Sequence, residues 1–170
     1  MRSERLGRLI RHYFPDLVYG SNDGVITTFA VVSGVAGASL SERVILILGF
    51  ANLVADGFSM GASNFLARRS HADADERADR SEAARHGAAT IAGFVTAGLV
   101  PLVAYLVPLP DGDRFPLAIA LTLSTLYAVG ASRTLVTRAG ALRSGLEMLF
   151  VGALAAAVAY GVGALGAALT

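Results

Sequence analysis

Long runs without a single charged side chain constrain this chain more than any other feature. Gly87 to Pro110, Phe115 to Ser132, Met148 to Thr170 and Gly24 to Ser41 carry no charge, and Val44 to Leu66 carries only Asp56. A helix needs about 20 mostly apolar residues to cross a bilayer. The sequence therefore predicts an all-α integral membrane bundle of five transmembrane helices, roughly 18–40, 43–66, 88–109, 115–136 and 146–168, in one domain spanning 1–170. Only 16% of residues are charged and mean hydropathy is +0.58. A soluble domain carries about 25% charged residues, so a soluble enzyme, a disordered chain and a nucleic-acid binder are excluded as expectations. The absence of cysteine removes disulfides, thiolate metal sites and cysteine nucleophiles together.

The basic residues, all arginine, give the orientation. The N-terminal segment holds Arg2, Arg5, Arg8 and Arg11; the connection between helices two and three holds Arg68, Arg69, Arg77, Arg80 and Arg85; that between four and five holds Arg133, Arg138 and Arg143. These segments share one side of a five-span chain and carry 12 of the 14 arginines, leaving Arg43 and Arg114 opposite. Because cytoplasmic loops are enriched in arginine and lysine, the N-terminus is expected in the cytoplasm and the C-terminus outside. Met1 to Phe14 has no apolar stretch long enough for a secretory signal. Its arginines recur every third residue between Leu6, Leu9, Ile10, Tyr13 and Phe14, which predicts a short amphipathic helix over 1–15, lying on the membrane surface and ending at Pro15.

Three acids fall at or inside spans: Asp23, Asp56 and Glu147. An ionised side chain at mid-bilayer costs about 2.5–3.5 kcal/mol on insertion scales, so such groups face a partner, a cavity or an ion path. On helix two, Asn52, Asp56, Met60 and Asn64 follow at i, i+4 spacing and share a face. Counting from Leu40 on helix one and Arg43 on helix two sets Met60 level with Asp23 and Asp56 about one turn further out, with Asn22 beside Asp23. Oxygen ligands with a thioether suit Fe²⁺ or Mn²⁺ better than Mg²⁺ or Ca²⁺. A desolvated carboxylate also holds a proton when empty, which is the chemistry of proton exchange.

Blander readings stand beside these. Ser21-Asn22-Asp23-Gly24 also reads as an N-cap, and a methionine in a membrane helix is more often packing than ligand. Glu147 follows Arg143 by four residues, which suits an interfacial ion pair. The connection 67–87 is a short, mixed-charge loop in which Asp75, Asp79 and Glu82 share a helical face; it is either a solvated helical extension or a weak metal-collecting surface at the cytoplasmic mouth. His12, His71 and His86 read as solvated or interface residues rather than ligands. Gly20-x-x-x-Gly24, Gly57-x-x-x-Gly61 and Ala153-x-x-x-Ala157-x-x-x-Gly161 are small-residue stripes that let helices approach closely. Pro101 is expected to kink helix three.

The polar positions sit in recognisable sequence. Asp16-Leu17-Val18-Tyr19-Gly20-Ser21-Asn22-Asp23-Gly24-Val25-Ile26-Thr27-Thr28 resembles the first helix of the vacuolar iron transporter family, and Ala55-Asp56-Gly57-Phe58-Ser59-Met60-Gly61-Ala62-Ser63-Asn64 resembles its second. Gly145-Leu146-Glu147-Met148-Leu149 is similar to the start of its fifth. That resemblance implies export of Fe²⁺ or Mn²⁺ from the cytosol in exchange for protons, by a homodimer with the ion path at the subunit interface. It also implies that Asp23 is the path acid and Met60 the thioether ligand, with the metal as substrate rather than resident cofactor. Known members carry a long cytoplasmic insert between helices two and three, and many have Glu at the position of Asn64; this chain has neither, which makes it resemble the short form. The expected location is the bacterial inner membrane, or a vacuolar-type membrane in a eukaryote. A competing reading is a membrane scaffold whose intramembrane Asp and Asn residues only bond helices together. Catalysis is not expected, because no span carries a histidine.

Overall fold

The computed structural model describes residues 2–74, 80–108, 114–137 and 140–169, with side chains from residue 12 and outside 71–80. Five long helices account for nearly all of it: α1 (Arg2–Gly37), α2 (Glu42–Ala74), α3 (Arg80–Leu106), α4 (Arg114–Ser132) and α5 (Ala141–Leu169), with a 3₁₀ turn at Arg133–Leu135 after α4. Helices α2 to α5 are each long and apolar enough to cross a membrane. The fold is thus the expected all-α membrane bundle. Helix α1 has the length, but Ser21, Asn22 and Asp23 dilute its hydropathy.

The N-terminal boundary differs from expectation. The amphipathic N-terminal segment is not a separate helix ended by Pro15, because α1 runs unbroken from Arg2 through Pro15 to Gly37. A proline inside a helix removes one backbone hydrogen bond, and the packing of α1 against every other helix outweighs that loss. Asp23 is therefore mid-helix and caps nothing. The connection over 67–87 is mostly helix, since α2 continues to Ala74 and α3 begins at Arg80. Asp75 and Asp79 lie outside the described residues. Helix α3 likewise continues through Pro101, which is fully buried.

Helix α1 occupies the centre. It contacts α3, α5, α2 and α4, whereas α2 sits at one edge against α3 and α1. The α1–α3 seam is a backbone contact: a Cβ placed on Gly20 would lie 2.1 Å from the Thr90 carbonyl oxygen, and one on Gly24 2.2 Å from that of Phe94. Gly20-x-x-x-Gly24 is thus a true close-approach stripe. In helix α5 the stripe is elsewhere than expected. Among the described residues nothing lies within 4 Å of a Cβ on Gly161, whereas one on Gly163 would meet the Gly34 carbonyl oxygen at 2.0 Å. Phe94, Leu102, Val25, Val32 and Leu126 fill the interior with no exposed surface or almost none.

Helix α1 closes with a Schellman-type turn. The Leu40 amide donates to the Val35 carbonyl and the Ser39 amide to that of Ala36, with Ser39 at φ 54°. At the same end of the bundle, Arg114 at the start of α4 pairs with Glu42 at the start of α2.

Candidate functional site

The tight α1–α2 turn fixes the register of the two helices that carry the polar residues. Asn52 donates to the Thr27 hydroxyl at 3.3 Å, and Asn64 donates to Asp16 at 2.8 Å. These bonds put Asp56 level with Asp23, so Met60 is one turn further inward. Sequence counting erred by that turn because it ran α1 to Leu40, and the helix stops three residues earlier. Asp23 lies fourteen residues before the end of α1 and Asp56 fourteen after the start of α2. Both are therefore about 21 Å along the helix from the Glu42–Arg114 end. Their charges are close enough to repel one another.

The neighbourhood of that pair is polar but uncharged. Thr27 donates to the Asp23 backbone carbonyl at 2.8 Å while accepting from Asn52. Residues 13–42 and 44–67 contain no arginine, lysine or histidine, so no fixed cation offsets the two carboxylates from within these stretches. Asp56 is exposed, between the exposed side chains of Val54 and Phe58. Met60 is partly buried and packs against the apolar interior. Asn22 turns away from α2. It lines a cavity of about 390 Å³ with Tyr19, Arg133, Thr137 and Met148, and its buried Oδ1 accepts no hydrogen bond among the described residues.

Asn64 belongs to a different constellation at the other end of the seam. Its amide nitrogen donates to Asp16 and to the Thr90 hydroxyl at 2.6 Å, and its oxygen accepts from Arg68 at 3.0 Å. Asp16 is buried and also accepts from Arg68 at 3.1 Å and from His86 Nδ1 at 2.5 Å. Burial raises the Asp16 carboxyl pKa, but the hydrogen bonds from His86 and Asn64 and the charge of Arg68 outweigh it and hold the group below its ordinary value. His86 is 3% exposed, which corrects its reading as a solvated residue. Its Nε2 faces His12 Nε2 at 3.2 Å, and His12 Nε2 lies 2.7 Å from Glu82.

Sequence reasoning missed Asp16 and His86 as a pair. They are 70 residues apart, and the only local signal was an acid and a histidine each flanking the inner end of a span. Glu147 pairs with Arg143 at 3.0 Å and lies 3.9 Å from Arg133.

Long apolar helices packed backbone to backbone, with Asp23 and Asp56 at one level of α1 and α2, define a multi-pass α-helical membrane protein with a polar seam. A sequence model of the VIT family matches residues 14–86 and 74–164. The chain belongs to that family. It is 30% identical over 164 residues to Vacuolar iron transporter homolog 1 of Oryza sativa subsp. japonica, covering 85% of this chain and 70% of the relative. It is 24% identical over 215 residues to Vacuolar iron transporter 1 of Arabidopsis thaliana, covering 91% and 84%. A shorter match, 40% over 57 residues, joins it to the Vacuolar iron transporter of Plasmodium falciparum (isolate 3D7), covering 34% and 21%.

Proposed function

We propose that this chain is a membrane transporter that exports a divalent transition metal, Fe²⁺ or Mn²⁺, from the cytosol in exchange for protons. The observation that carries this reading is the levelled pair Asp23 and Asp56, with no basic residue in the stretches 13–42 and 44–67 that flank it. Two like charges in a low-dielectric seam require a positive species between them. A divalent cation and protons are alternative occupants of that one place, so binding one expels the other. Met60, on the same face of α2 one turn further inward, is the soft ligand of this reading, whereas Asn22 faces the cavity on the α5 side and takes no part in it. Names of relatives that specify iron point the same way.

The reading has α1 as the fifth span, the N-terminus in the cytosol and a homodimer as the working unit. Antiparallel pairing of α1 with α2, and of α4 with α5 through Leu126 and Gly152, suits five alternating crossings. Asp56 supports the dimer. In a single chain it would face lipid at a cost of about 2.5–3.5 kcal/mol, and a second copy laid on the exposed face of α2 removes that cost by closing the seam. The two family-model segments overlap at 74–86, in the short α2–α3 connection, as expected of a member without a long cytoplasmic insert.

The test is metal uptake by proteoliposomes with and without a pH gradient, Fe²⁺ and Mn²⁺ separately. Asp23→Asn is expected to abolish transport while the protein still inserts and elutes as a dimer. Wild-type transport by Asp23→Asn would refute the proposal.

A further inference from the structure

We propose a second divalent-metal site, formed by His12, Glu82 and His86 at the inner end of the α1–α3 seam. It takes a borderline transition ion such as Co²⁺, Zn²⁺ or Fe²⁺. The ligand atoms are His12 Nε2, Glu82 Oε1 and His86 Nε2, all within 4.8 Å of one another. Two imidazoles and one carboxylate form a donor set that favours such ions over Mg²⁺ or Ca²⁺.

The proton positions make the cluster a ligand set rather than a chain of hydrogen bonds. Asp16 is an acceptor-only carboxylate, so the His86 Nδ1 at 2.5 Å carries a hydrogen, and in the neutral imidazole the His86 Nε2 then carries the lone pair a metal would take. That lone pair points at His12 Nε2, 3.2 Å away, whose single hydrogen is taken by Glu82 at 2.7 Å. Replacing that hydrogen by a cation satisfies all three atoms at once. Metal–nitrogen bonds of about 2.1 Å set at right angles put neighbouring ligand atoms about 3.0 Å apart; the two separations from His12 Nε2, 2.7 and 3.2 Å, bracket this, and rotation of the half-exposed Glu82 side chain brings the third pair, within 4.8 Å, to the same spacing. The carboxylate behind His86 is the outer-shell partner that metal-bound histidines ordinarily have, and it fixes the ring and its tautomer. Arg68 and Asn64 hold Asp16 in turn.

Access is provided for. The His12 and Glu82 side chains are 48% and 50% exposed, while His86 is buried behind them. His12, Asp16 and Asp23 lie at i, i+4 and i+11 on one face of α1, so the cluster is about 16 Å inward of Asp23 along the helix. A role in loading the transport path rests on the function proposed above; binding itself does not.

The test is Co²⁺ titration of the detergent-solubilised protein, followed by visible absorption. Wild type is expected to develop the absorption of nitrogen-ligated Co²⁺, displaced by Zn²⁺ but not by millimolar Mg²⁺. His12→Ala and Glu82→Gln are each expected to weaken that component at least tenfold, while Asp23→Asn retains it. Both altered side chains are half exposed, so neither substitution empties the interior, and each variant decides independently of the other. Superimposable titrations for wild type and both variants, or no binding tighter than millimolar, would overturn the site. Failure here with intact transport leaves the transporter reading standing, and retained Co²⁺ binding in a protein that transports nothing does the reverse.

Discussion

Substituting Gly24 by alanine puts the backbone contact between α1 and α3 to a quantitative test. The new Cβ would sit 2.2 Å from the Phe94 carbonyl oxygen and 2.8 Å from its carbon, both backbone atoms that cannot rotate aside. Ordinary contact begins near 3.4 Å, so the helices must part by about 1.2 Å and lose dispersion contacts along the seam. Overpacking of this kind costs about 1–3 kcal/mol, against which alanine returns up to about 1 kcal/mol of helix propensity. A net loss of about 1–2 kcal/mol is expected, read by reversible unfolding in mixed micelles with circular dichroism. Gly20→Ala pushes on the same seam against the Thr90 carbonyl, so one displacement relieves both clashes. The double variant should therefore cost clearly less than the sum of the singles. Gly161→Ala is the control, because among the described residues nothing lies within 4 Å of its Cβ; it should be neutral or slightly stabilising. Gly24→Ala as stable as Gly161→Ala would refute the backbone-contact account.

Other outcomes follow from single residues. Asp16 has a folded pKa below its ordinary 3.8, so its stabilisation is complete above that value and is lost as pH falls through the lower folded value; melting between pH 5 and 2 should show a steeper acid limb for wild type than for Asp16→Asn. Ser39 holds a left-handed φ of 54° at the end of α1, so Ser39→Gly should raise stability by about 1 kcal/mol in the same unfolding assay. Glu42→Gln breaks the pair with Arg114, in which the Glu42 side chain is 42% exposed and open to screening, and should lower the melting temperature more at low salt than at high salt.

What was legible in the sequence followed from length and hydropathy. Helices α2 to α5 stand where uncharged stretches put them, because a bilayer leaves a chain few other options. Contacts between helices were harder to read. Gly20-x-x-x-Gly24 and the α5 stripe look alike in sequence, yet only the first meets a neighbouring backbone, since which face of a uniformly apolar helix turns inward has no strong periodic signature. The Asp23–Asp56 register was missed by one turn because it depends on where a single Ser39 turn begins. Asp16 and His86 were missed as partners because they meet only through the parallel packing of α1 on α3, which no local spacing encodes.

The glycine seam also governs motion. Two helices whose main chains touch at Gly20 and Gly24 have no side chains between them to slide or repack, so α1 and α3 travel as one rigid spine. On the transport reading proposed above, opening of the Asp23–Asp56 level to either aqueous face would come from the peripheral helices moving against that spine. Helix α2, which bears Asp56 and Met60 and packs at the edge against α3 and α1, with an end contact to α4 through Glu42 and Arg114, is the natural rocker.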